Sequence, residues 1–174
     1  MSNVVLVVDM VRGFLEPGHN LYFAGYRELI PPIQSLLRRE RAAGSAILFV
    51  SDHHDPDDLE FQIFPVHCVK GTEEPEVIPE LREFFSENNL VPKNRYSGFF
   101  NTDLDRRLRE LCPEKVIICG VCTDICVLHT TADARNRDYP VEVPADCVGT
   151  FDPGAHRWAL EHLQKILGAR VVQP

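Results

Sequence analysis

The chain contains no run of about 20 apolar residues, the length that a membrane-spanning helix requires, so a helical membrane protein is not expected. It also has no long basic run. Its 18 Lys and Arg face 26 Asp and Glu, giving a net charge of −8. An acidic chain without a basic stripe is a poor partner for nucleic acid or for an anionic membrane surface. No glycine-rich phosphate loop of the P-loop or dinucleotide type is present, which removes the commonest nucleotide-binding signatures. Internal repeats, linkers and low-complexity segments are absent as well. The apolar start, Met1 to Met10, lacks a basic flank and reaches Asp9 quickly. It reads as a strand rather than a secretory signal, and a cytoplasmic location is expected.

What is present is an ordinary globular balance, 44% hydrophobic and 25% charged, over 174 residues. That length fits one domain, residues 1–174, with room for a substantial core. Six cysteines stand at 68, 112, 119, 122, 126 and 147. A chain of this size without a secretion signal seldom depends on disulfides, so reduced thiols are expected. Each thiol is then core, ligand or nucleophile. Cys119 and Cys122 have C-x-x-C spacing, but Cys119 lies in an apolar strand and no second pair exists, which argues against a zinc knuckle or redox motif.

Short β-rich runs alternate with amphipathic helical runs. Strands are expected at Asn3–Val8, Ala46–Val50, Asn89–Pro92, Lys115–Cys119, Val141–Val143 and Ala169–Val172. Helices are expected from Ile30, with Ile33, Leu36 and Leu37 inward and Gly44 as the stop, and from Thr102, with Leu104, Leu108 and Leu111 on one face. Thr123–Arg137 is expected to be helical too. A last helix begins after the Asp152 cap and Pro153, burying Ala159, Leu163, Ile166 and Leu167. Between Ser51 and about Glu80 lies a long segment rich in Pro, His and Asp, and loops of that length in compact domains are usually functional. The strand–helix alternation predicts an α/β fold: three layers, α/β/α, around a mostly parallel sheet. Ligands of such sheets sit at the carboxyl ends of the strands. Asp9, Asp52, Lys93 and the segment Cys122–Cys126 all follow strands, so they are expected on one rim.

Those residues are the candidates for chemistry. Cys126 falls in the first turn of a helix, where free backbone N–H groups favour a thiolate, so a lowered pKa and a nucleophilic role are expected. The N–H groups of Cys122 and Cys126 would then form an oxyanion hole. By position alone, a small buried residue on the inner face is the commoner reading of such a cysteine. Asp9 ends an all-apolar strand, so it needs a partner or an unusual pKa, as a general base or as a structural ion pair. Lys93 is either a stabiliser of negative charge or a surface lysine. Asp52, His54 and His67 suit a divalent ion such as zinc, iron or manganese, and Glu60 offers a fourth ligand. Asp52 and His54 alternate along an extended segment, so His53 is expected to point away. A polar loop with incidental histidines is the alternative.

Two stretches together carry a resemblance. The first is Gly120-Val121-Cys122-Thr123-Asp124-Ile125-Cys126-Val127-Leu128-His129-Thr130-Thr131-Ala132-Asp133-Ala134. The second is Phe64-Pro65-Val66-His67-Cys68-Val69-Lys70-Gly71-Thr72. With Val4–Met10 they make the chain similar, over nearly its whole length, to the isochorismatase-like cysteine hydrolases, and within them to the nicotinamidases. The resemblance implies a triad of Asp9, Lys93 and Cys126 and a cis peptide at Val121–Cys122. It further implies a metal site of Asp52, His54, Glu60 and His67, holding one divalent ion, zinc before iron or manganese. It implies an aromatic pocket of Phe14, Phe64 and Tyr96, where Phe64 replaces a tryptophan common in that subgroup. The implied activity is hydrolysis of nicotinamide to nicotinate and ammonia, a step of NAD salvage, by a homo-oligomer acting on a small molecule. A related cysteine amidase acting on a ureido or N-carbamoyl compound is the second expectation. A non-catalytic binder on the same fold is the third.

Overall fold

The computed structural model describes residues 2–174. Seven strands form one sheet: β1 (Val4–Val8), β2 (Ala46–Asp52), β3 (Leu90–Lys93), β4 (Val116–Val121), β5 (Val141–Pro144), β6 (Val148–Gly149) and β7 (Arg170–Val172). The order is β3-β2-β1-β4-β5-β7, with β6 paired to β4, and all pairings between these strands are parallel. Among the described residues five α-helices accompany them: α1 (Arg12–Leu15), α2 (Ile30–Ala42), α3 (Leu104–Leu111), α4 (Leu128–Arg135) and α5 (Pro153–Lys165). The three-layer, mostly parallel architecture expected from the sequence is the one observed.

β1 explains the layering. Its five residues, Val-Val-Leu-Val-Val, are all buried because the strand is central and covered on both faces. Side chains alternate along a strand, so Val5 and Val7 join Ile33, Leu36 and Leu37 of α2 in one core. Val4, Leu6 and Val8 join Leu104 and Leu108 of α3, Ala134 of α4 and Leu163 of α5 in the other. Each such fully buried aliphatic side chain contributes about 1.5–3 kcal/mol.

Several local expectations are corrected. The α5 helix starts as foreseen, with the Asp152 carboxylate accepting from Gly154 N at 2.7 Å and Ala155 N at 3.0 Å. It ends at Lys165, however, so Ile166 falls off the buried face and is 69% exposed. Leu111, at the end of α3, is also exposed. The segment Thr123–Arg137 is not one regular helix: Thr123–Val127 forms a π-type turn before α4 begins. The long segment after β2 is partly ordered by short 3₁₀ turns at Leu59–Gln62 and Pro79–Phe84 and by a parallel bridge between His54 and Val69. Spacing alone did not show these, because one-turn elements carry no measurable periodicity.

The chain winds outward from β1 through β2 to β3, then returns to the other side of β1 for β4 and β5. The strand order therefore reverses between β1 and β4. A crevice opens at such a switch point, at the carboxyl ends of the strands. No helix among the described residues is long and apolar enough to cross a membrane.

Candidate active site

The crevice is flanked by the segments after β1 and β4. Directly after β1, Asp9 takes a left-handed backbone conformation, φ 51°. This sparsely populated region is tolerated by Asp better than by most residues. Asp9 is tied to β2 at both ends: its N–H donates to Val50 O at 2.9 Å, and its Oδ1 accepts from Asp52 N at 2.8 Å. After β4, Gly120 has φ 109°, and a Cβ there would lie 2.0 Å from Val8 O. Only glycine allows β4 to approach β1 so closely. The Val121–Cys122 peptide is cis. The π-type turn that follows carries Cys126.

Three separate strand ends thus converge. Lys93 Nζ lies 2.9 Å from Asp9 Oδ2 and 3.4 Å from Cys126 Sγ, and it also pairs with Asp52 Oδ1. Asp9, Asp52, Lys93 and Cys126 are all buried. Burial opposes the charge on Lys93, but Asp52 and Asp9 outweigh it and hold the ammonium protonated. Burial and the nearby Asp52 charge raise Asp9 to about 6, against the pull of Lys93. The Cys126 thiol corrects the expectation of a lowered pKa. Burial pushes it well above its ordinary value, and Lys93 offsets only part of that. At rest the site holds a neutral thiol beside a carboxylate and an ammonium. No backbone partner is found for the Cys122 N–H, and Cys122 lines the pocket.

A second cluster shares Asp52. Its Oδ2 lies 3.7 Å from His54 Nε2 and 3.7 Å from His67 Nε2. Glu60 Oε1 lies 3.9 Å and 3.8 Å from the same two nitrogens. His67 Nδ1 faces Pro65 O at 2.7 Å, and His54 Nδ1 faces Asp58 Oδ2 at 2.9 Å. His54 Nε2 and Glu60 Oε2 are buried without a hydrogen-bond partner. Two imidazoles and two carboxylates, with orphaned buried atoms among them, fit a divalent cation. Donors around zinc sit about 3.4 Å apart in a tetrahedron, a few tenths of an ångström closer than here. Asp52, His54 and His67 form a candidate metal-binding triad on geometry alone. Despite burial, Lys93 and both imidazoles hold the Asp52 carboxyl well below the usual range, so it stays charged. His53 turns away, toward Ser51 O.

Both clusters open onto one pocket of about 490 Å³, mouth included. The aromatic wall expected at Phe14, Phe64 and Tyr96 lines it. The Phe64 and Tyr96 rings meet edge-on, 6.3 Å apart at 88°. Leu21, Tyr26, Ile125 and Phe151 line it as well and were not foreseen. Tyr26 comes from a 3₁₀ turn, Ala24–Leu29, and its hydroxyl lies 3.0 Å from Cys122 Sγ. No sequence signal linked it to a residue nearly a hundred positions away. All six cysteines are unpaired.

Residues 3–173 match the Isochorismatase domain family. The chain belongs to the isochorismatase family. A curated family relative, the uncharacterized isochorismatase family protein PncA of Bacillus subtilis (strain 168), is 32% identical over 99% of this chain and 100% of its own. Among solved structures of similar shape is the pyrazinamidase/nicotinamidase of Streptococcus mutans UA159. It is 33% identical, with TM-score 0.92 and coverage of 98% of this chain and 100% of that one. The pyrazinamidase of Pyrococcus horikoshii in complex with zinc is 29% identical, with TM-score 0.89 and full coverage of both chains. The N-carbamoylsarcosine amidase of Thermoplasma acidophilum is 33% identical, with TM-score 0.88, covering 99% and 96%.

Proposed function

We propose that this family member is a cysteine amidohydrolase that converts nicotinamide to nicotinate and ammonia, with Cys126 as nucleophile, Asp9 as base and Lys93 as charge stabiliser. One observation carries the reading: Lys93 Nζ reaches Asp9 Oδ2 at 2.9 Å and Cys126 Sγ at 3.4 Å, and Asp9 and Cys126 line an aromatic pocket. For stability alone, well-packed hydrophobic residues often do as well as an ammonium buried among two carboxylates and a thiol, which favours a chemical role.

In this reading Asp9 takes the thiol proton. Its Oδ2 pairs with Lys93 at 2.9 Å, and a carboxylate oxygen has a second lone pair for the thiol proton. Its raised pKa makes it a stronger base than an ordinary aspartate. The Cys126 sulfur forms a bond to the amide carbon, and the carbonyl oxygen becomes an oxyanion held by the N–H groups of Cys122 and Cys126. Asp9 returns the proton to the nitrogen, the C–N bond breaks, and ammonia leaves a thioester. Asp9 then deprotonates water, which attacks the thioester and releases the acid and the thiol. Lys93 lowers the energy of each anionic state. Asp52, His54, Glu60 and His67 would hold a divalent ion, zinc by analogy with the Pyrococcus structure, which supplies a Lewis-acid anchor for the ring nitrogen. Phe14, Phe64 and Tyr96 would clasp the flat ring and fix the carboxamide over the sulfur.

The similarity to N-carbamoylsarcosine amidase favours a second reading, an N-carbamoyl substrate. The pocket lining argues against it. Its formally charged lining groups are the carboxylates of Asp9, Asp52 and Glu60, and Lys93 is committed to two carboxylates. Apart from the divalent ion, which the ring nitrogen would occupy, a substrate carboxylate would meet no free cation there. The test is ammonia release from nicotinamide, pyrazinamide and N-carbamoyl amino acids by wild type and Cys126→Ala. Turnover of the ring amides that vanishes in the variant supports the proposal. Preference for the N-carbamoyl compounds would replace the substrate, and full activity in the variant would remove the nucleophile.

A further inference from the structure

We infer that Asp58, which touches neither the pocket nor the nucleophile, is the positioning residue that makes the metal-binding half of the site competent. The inference rests on reading Asp52, His54, Glu60 and His67 as the ligand set. The Asp58 carboxylate is only 3% exposed and has three partners. Its Oδ2 faces His54 Nδ1 at 2.9 Å. Its Oδ1 accepts from Glu60 N at 2.9 Å and from Arg95 Nη1 at 2.8 Å.

The chemistry follows from what a carboxylate can do. It only accepts, so it places the ring proton of His54 on Nδ1 and leaves the Nε2 lone pair directed toward Asp52 and Glu60. The same atom, Nε2, is buried without a hydrogen-bond partner. His67 reaches the same state by another route, donating from Nδ1 to Pro65 O at 2.7 Å. One imidazole is therefore set by a backbone carbonyl and the other by Asp58. Through the Glu60 N–H, Asp58 also caps the turn Leu59–Gln62 that presents the Glu60 carboxylate. Through Arg95 it reaches the segment after β3, whose next residue, Tyr96, is a pocket wall. Asp58 thus joins a loop ligand, a second loop ligand and the aromatic wall in one set of bonds.

The experiment measures zinc and cobalt affinity of the full chain by competition with a chromophoric chelator, for wild type, Asp58→Ala, Asp58→Asn and Arg95→Gln, with His67→Ala as the ligand control. Removal of such an outer partner lowers metal affinity about 10–100-fold, and that loss is expected for both Asp58 variants. Asp58→Asn keeps the size but offers one acceptor where two were used, so it carries the test if the alanine variant does not fold. Arg95→Gln should lose less. Saturating zinc should restore kcat in Asp58→Asn, because Asp58 contacts no reacting atom. Wild-type affinity in Asp58→Asn would overturn the inference, and so would a kcat that stays low at saturating metal. A wild type that binds no metal would instead sink the ligand set itself, a distinguishable failure.

Discussion

The two halves of the pocket are built by different means. Asp9, Lys93 and Cys126 stand at three strand ends, and the sheet fixes their separations through the β1–β2, β2–β3 and β1–β4 pairings. Their charges are mutually compensated: the ammonium lies between two carboxylates and the thiol. His54, Glu60 and His67 stand on a loop, and no ladder of hydrogen bonds sets them beyond the single His54–Val69 bridge. Their donor atoms face one another rather than a partner, and two are orphaned. The first half is complete as it stands, whereas the second is complementary to something it would bind. Asp52 belongs to both, with one oxygen turned to Lys93 and the other to the imidazoles.

The sharpest way to separate the halves is to remove the proposed nucleophile. Cys126→Ala should lower ammonia release by about 10⁴-fold or more, the scale seen for removal of a covalent nucleophile, and leave zinc affinity unchanged in chelator competition. Loss of metal binding in that variant would show that the halves are one unit. Next in size is Gly120→Ala. A methyl 2.0 Å from Val8 O, at φ 109°, must push β4 from β1. The expected cost is about 3 kcal/mol or more from strain and lost packing, read as a lower denaturant midpoint or loss of soluble protein. An unchanged midpoint would mean that the switch-point crevice is looser than described.

The loop half is tested by His67→Ala, which should weaken zinc binding by at least about 10-fold and raise KM for the ring amide more than it lowers kcat. A fall in kcat alone would move His67 to the chemical half. The pH profile is the finest probe. Asp9 titrates at about 6 and must be ionised to act as a base. Hence kcat/KM should fall about tenfold per unit as pH drops below that value, and level off above it. Activity that stays flat down to pH 5 would remove Asp9 from that role. On the outer surface, Ile166→Ser should change stability by no more than about 0.5 kcal/mol, since the side chain is 69% exposed.

Much of this was legible before any fold was known, for identifiable reasons. An apolar run of five residues ending in Asp9 announces a central strand with a carboxylate at its rim. The Asp152–Pro153 pair announces a helix start. Some expectations failed, and some residues were missed, because the causes are not local. Ile166 lay on the helical stripe, but α5 ended one residue too soon. The Cys126 thiol was expected to be acidic from its place at a helix start, yet desolvation by the surrounding fold dominates. Tyr26 and Asp58 were missed because neither belongs to a periodic pattern, and their importance lies only in what they touch.

By itself the sequence determined the strand and helix alternation, the parallel sheet it implies, and the identity of the groups at the strand ends. Those follow from periodicity and from capping, which act over a few residues. Tertiary structure alone decided how far apart the groups stand, which are charged, and that one carboxylate, Asp52, serves two clusters. Distance, burial and the field of neighbouring charges are properties of segments remote in the chain, and only folding brings them together.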